Sequence, residues 1–96
     1  MITVAGAGPG DPGLLTVEIK EQIESAGCVL AFERIAKSLK GARDDIIKIK
    51  SVDEVIPIIN KQKDILILAS GDPCLFGILE YLREKGIKVD KVLPGI

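Results

Sequence analysis

The chain contains no histidine and no tryptophan, only two cysteines, and few aromatics: one tyrosine and two phenylalanines in 96 residues. Without histidine there is no imidazole to serve as a base near neutral pH or as a metal ligand. Cys28 and Cys74 stand singly and far apart, so no zinc spacing exists and no disulfide scaffold is built. Each is expected to pack as a small apolar residue in a reducing compartment, with Cys74 placed in a loop of more interest. Long hydrophobic runs are missing too. No stretch approaches the roughly 20 apolar residues that a bilayer-spanning helix needs, and no basic leader precedes the first strand. Charge of one sign is also lacking: 13 basic and 14 acidic residues leave a net charge of −1. No basic cluster interleaves with aromatics, which excludes an electrostatic footprint for nucleic acid. The expectation is a soluble, cytoplasmic protein with no metal and with neither nucleic acid nor membrane as partner.

What is present is aliphatic. Apolar residues make up 47% of the chain, so one core of Ile, Leu, Val and Ala is expected at this length. Short apolar runs alternate with amphipathic patterns. Strands are expected at residues 2–5, 28–32, 46–49, 65–69 and 89–93. Helices are expected between them. The first carries Leu15, Ile19, Ile23 and Ala26, starts near Thr16 and stops at Gly27. The second carries Ile35, Ala36 and Leu39 and ends at Gly41. Ser51 and Glu54 form a capping-box signature for the third, whose face is Val52, Val55, Ile56 and Ile59. Pro57 falls about one turn in, where a lost hydrogen bond and a kink or a short helix are expected. The fourth shows Leu75, Ile78, Leu79 and Leu82, closed by Gly86. Strand–helix alternation with near-continuous apolar strands predicts an α/β, three-layer domain: a parallel sheet covered on both faces.

Two of the connections repeat each other. "VAGAGPGDPGLLT" (residues 4–16) and "ILASGDPCLFGI" (residues 67–78) each run from a buried strand into Gly-Asp-Pro. One such loop is good turn chemistry by itself, because Asp caps turns and Pro suits the first position of a helix. Two of them at carboxyl ends of buried strands suggest a binding crevice, since ligands of such sheets sit there. A phosphate-binding P-loop is excluded, because no Gly-Lys-Ser/Thr follows. A dinucleotide fingerprint fits only in part: Gly6 and Gly8 match, Asp11 stands at the third glycine position, and Glu33 stands where a ribose-binding acid belongs. Asp11 and Asp72 would repel a pyrophosphate. Acidic loops suit an amine, a ribose diol or a cation better. S-adenosylmethionine carries an ammonium, a ribose and a sulfonium, with no phosphate.

These stretches resemble the tetrapyrrole (corrin/porphyrin) methylases. Residues 4–16 look like the family's opening motif, Gly-x-Gly-Pro-Gly-Asp-Pro followed by Leu-Leu-Thr. The second loop looks like its second motif, and the terminal "VLPGI" like the start of its third. Ser-Gly-Asp-Pro followed by Phe-Gly-Ile, with "AFERIAKSL" after the second strand, is more similar to the carbon-5 methyltransferases that act on cobalt-precorrin-7 or precorrin-6Y in cobalamin synthesis. Phe32 or Glu33 replaces the glycine usual there.

The resemblance implies a five-stranded parallel sheet in which strands one and four are central neighbours. It also implies S-adenosylmethionine held between this domain and a second one. By motif, Pro9, Ser70, Gly71 and Asp72 would touch the cofactor, with Leu75 packing nearby or serving the core. Asp11 would lie toward the substrate side, and nothing nominates a catalytic residue. Family members continue past "PGI" into a further domain, so residues 1–96 read as an N-terminal domain whose second half is absent. An apolar patch is expected where that half docks. A tetrapyrrole substrate, a homodimer, and a separate C-terminal half or decarboxylating subunit are the implied partners. Another tetrapyrrole methylase of the same family, a nicotinamide-binding domain dependent on Glu33, and a non-catalytic interaction module are the alternatives.

Overall fold

The computed structural model describes residues 1–6, 17–38, 45–69 and 74–93. In chain order these form β1 (Ile2–Gly6), α1 (Val17–Ser25), β2 (Cys28–Phe32), α2 (Glu33–Ser38), β3 (Ile47–Ile49), a 3-10 turn (Val52–Glu54), α3 (Val55–Lys61), β4 (Ile65–Ala69), α4 (Cys74–Glu84) and β5 (Lys91–Leu93). The strands build one five-stranded sheet in the order β3-β2-β4-β1-β5, and every pairing is parallel.

β4 lies in the middle because it is apolar at all five positions and buried at all five. A strand with neighbours on both edges and helices on both faces cannot alternate polar and apolar residues. Its side chains divide by the two-residue period of a strand. Leu66 and Leu68 enter one core with Ala5, Val29 and Ala31, under Ile19 and Ile23 of α1 and Ile35 and Ala36 of α2. Ile65, Ile67 and Ala69 enter the other with Val4, Leu30 and Ile49, under Val55 of α3 and Ile78 and Leu82 of α4. The sheet therefore has a first face under α1 and α2 and a second under α3 and α4.

That division follows from chirality. The α1 and α2 connections carry the chain from β1 to β2 and on to β3, in one direction along the sheet. The α3 and α4 connections carry it back from β3 to β4 and on to β5. Reversing direction and face together keeps every crossover the same hand, as the twist of parallel strands demands.

Element ends are satisfied by local chemistry. Asp64 closes the amino edge: its Oδ2 accepts from the Gly27 amide at 3.0 Å, and its carbonyl accepts from Cys28 N at 2.9 Å. Asp90 does the same for β1, accepting from Ile2 N at 2.8 Å and donating its own N–H to the Ile2 carbonyl. The glutamate arm of the capping box forms, with Ser51 N donating to Glu54 Oε2 at 2.7 Å, while the Ser51 hydroxyl donates to Asp53. Pro57 is the third residue of α3, which continues the 3-10 turn Val52–Glu54 without a break, and without an N–H it donates nothing to that preceding turn, as expected. The helix is short, as expected, at seven residues.

α4 ends where Gly86 adopts φ 75°. Gly86 N donates to the Arg83 carbonyl at 3.0 Å and Ile87 N to the Leu82 carbonyl at 2.9 Å. Those two bonds make a Schellman cap, which needs the left-handed conformation that glycine adopts freely.

Candidate functional site

The sheet register decides where the two Gly-Asp-Pro loops begin. Gly6, the last residue of β1, pairs with Ala69, the last residue of β4. The segments 7–16 and 70–73 therefore leave from adjacent strands at the same level, about 4.8 Å apart. On the other side of β1, Leu93 of β5 pairs with Ala5, so the chain after "VL" leaves beside Gly6 as well. All three motif segments issue from one carboxyl edge.

Their paths then diverge. The chain after β1 goes to α1 on the first face, and the chain after β4 goes to α4 on the second. Two neighbouring strands whose connections part to opposite faces define a topological switch point, the place where ligands of open parallel sheets bind. The adjacency of β1 and β4, which the residues alone left open and the resemblance implied, is thus a property of the fold.

Of the site residues expected from the sequence, Pro9, Asp11, Ser70, Gly71 and Asp72 lie outside the described residues. Leu75 is the second residue of α4, the helix that follows β4 in the chain. Its side chain lies outside the described set, as does that of Cys74. Cys28 is buried on the second face, as expected of a small apolar residue.

The carboxyl end of β2 adds a residue that sequence reasoning noted only as a departure from a motif. Ala31 pairs with Leu68, so Phe32 stands level with Ala69, half-buried against the second core. Glu33 follows at once as the exposed first residue of α2. β4 separates β2 from β1, which sets Glu33 two strand spacings, about 10 Å, from the first loop's strand. A dinucleotide fold of order 3-2-1-4 instead places the acid-bearing second strand directly beside β1. The sheet order therefore disagrees with the nicotinamide-binding reading.

Among the described residues, the exposed large apolar side chains are Met1, Val17, Ile47 and Val92. Ile47 and Val92 lie on opposite edge strands, about 19 Å apart at the usual strand spacing, and so share no patch. No described group of three or more acidic or cysteine side chains gathers as a metal site. No described helix is long and apolar enough to cross a membrane.

Comparison with known proteins agrees with this geometry. The family model described as Tetrapyrrole (Corrin/Porphyrin) Methylases matches residues 1–96. A probable cobalt-precorrin-7 C(5)-methyltransferase from Methanocaldococcus jannaschii is 30% identical over 106 residues, covering 96% of this chain and 46% of that protein. A uroporphyrinogen-III C-methyltransferase from Bacillus subtilis is 32% identical over 114 residues, covering 99% of this chain and 44% of that protein. The crystal structure of uroporphyrin-III C-methyltransferase from Thermus thermophilus complexed with S-adenyl homocysteine superposes with a TM-score of 0.75 at 26% identity. It covers 99% of this chain and 44% of that one. The chain spans less than half the length of each of these proteins. It belongs to the tetrapyrrole methylase family.

Proposed function

We propose that this chain forms the cofactor half of an S-adenosylmethionine-dependent methyltransferase acting on a tetrapyrrole, with a corrin precursor as substrate. The observation that carries the reading is the Gly6–Ala69 register, from which both Gly-Asp-Pro loops leave at the switch point. The donor set in those loops fits the cofactor. Asp11 and Asp72 supply two carboxylates, Ser70 a hydroxyl, and the glycines bare backbone, with no lysine or arginine between residues 4 and 16 or 67 and 78. Such a set suits an ammonium and a ribose diol and opposes a phosphate.

When bound, the cofactor supplies an activated methyl group that a nucleophilic ring carbon takes up, leaving S-adenosylhomocysteine. The work left to the chain is alignment and exclusion of water. In this reading Pro9 stiffens the first loop against the ligand, Gly71 lets the backbone approach it, and Ser70 and Asp72 hydrogen-bond its polar groups. Leu75 lies against its apolar part, and Asp11 faces the substrate side. The chain has no histidine, so its contribution to any proton removal at the ring is not by imidazole. The second wall of the cleft comes from a further domain of the kind that makes the relatives more than twice as long. In this proposal residues 1–96 are the N-terminal domain, and the assembled enzyme is a cytoplasmic homodimer.

Within the family, carbon 5 of cobalt-precorrin-7 or precorrin-6Y is the position we favour. The Ser-Gly-Asp-Pro and Phe-Gly-Ile residues support it, and the likeness to the Methanocaldococcus protein agrees. Similar identity to a uroporphyrinogen-III methyltransferase makes another tetrapyrrole the alternative.

Calorimetric titration with S-adenosylhomocysteine tests the reading, on the chain alone and with the remaining half of a full-length relative supplied separately. Saturable binding is expected, weakened at least tenfold in Asp72→Ala, because a hydrogen bond to a charged group contributes about 1.5–3 kcal/mol. Pro9→Phe is expected to abolish it. Absence of heat in both samples would contradict the proposal and favour an interaction module, whereas binding of NAD lost in Glu33→Ala would revive the nicotinamide reading.

A further inference from the structure

We draw no further inference here: the strongest candidate, the exposed flank of α4 at Gly77, where an added Cβ would meet nothing within 4 Å although glycine weakens a helix interior, is an unpartnered helix face and nothing in the structure shows what covers it.

Discussion

Two glycines of the α4 region should respond to the same substitution with opposite signs. Gly77 is the fourth residue of an 11-residue helix, is exposed, and has no positive φ. A Cβ added there meets nothing within 4 Å. Alanine is favoured over glycine in a helix by about 0.8–1.0 kcal/mol, partly because the unfolded chain loses fewer conformations. With no clash to set against it, Gly77→Ala should stabilise the fold by about 1 kcal/mol. In a domain of this size that raises the melting midpoint by about 4–8 °C. Gly86 also has open space around it, but its φ is 75°. There an L side chain strains the backbone, at about 1–2 kcal/mol, and weakens the two bonds of the Schellman cap. Gly86→Ala should therefore lower the midpoint by a similar interval. Circular dichroism at 222 nm, followed through thermal and urea unfolding, reads both. If Gly77→Ala melted lower than the parent, or Gly86→Ala melted no lower, the assignment of helix interior and left-handed cap would be wrong.

Two further substitutions probe the layers beneath the site. Ile67 is fully buried between Val4 and Leu30 on the second face. Ile67→Ala should cost about 2–5 kcal/mol, a large part of the total stability of a domain this small, while Ile67→Val costs about 0.5–1.5 kcal/mol. A urea midpoint unchanged by Ile67→Ala would place that side chain outside the core. Asp64→Ala removes the acceptor of the Gly27 amide and should destabilise by about 0.5–1.5 kcal/mol. Amide exchange at Gly27 should accelerate more than exchange in the centre of β4, and equal acceleration at both would show that the contact is not local.

The legible parts of this fold were those that depend on a residue's own neighbours in sequence. β2 and β4 fall on the expected residues, 28–32 and 65–69, because their apolar runs are bounded sharply by Gly27, Asp64 and Ser70. The edge strands came out shorter than their apolar patterns. β3 begins at Ile47 and β5 at Lys91, whereas Ile46 and Val89 were expected in them. Both residues are apolar because they pack against a core, and an edge strand has only one neighbour to extend its pairing. The strand order could not be read from periodicity at all. The pattern of Ile2–Gly6 shows that β1 is buried on two sides but not that its partner is β4, 63 residues on. That adjacency came from the family resemblance, and it is the adjacency on which the crevice depends. For the site, the proposed ligand chemistry rests on residue types in the two loops, acid and glycine without base.

The central claim is that the two Gly-Asp-Pro loops, leaving from the paired residues Gly6 and Ala69, form one ligand crevice. Amide chemical-shift mapping on addition of S-adenosylhomocysteine tests it most directly. The account predicts saturable shifts in residues 7–16 and 70–73 together, with one common titration curve, and with Gly6 and Ala69 the most affected strand residues. Shifts confined to one loop, or centred on Glu33 and α2 with both loops silent, would contradict it.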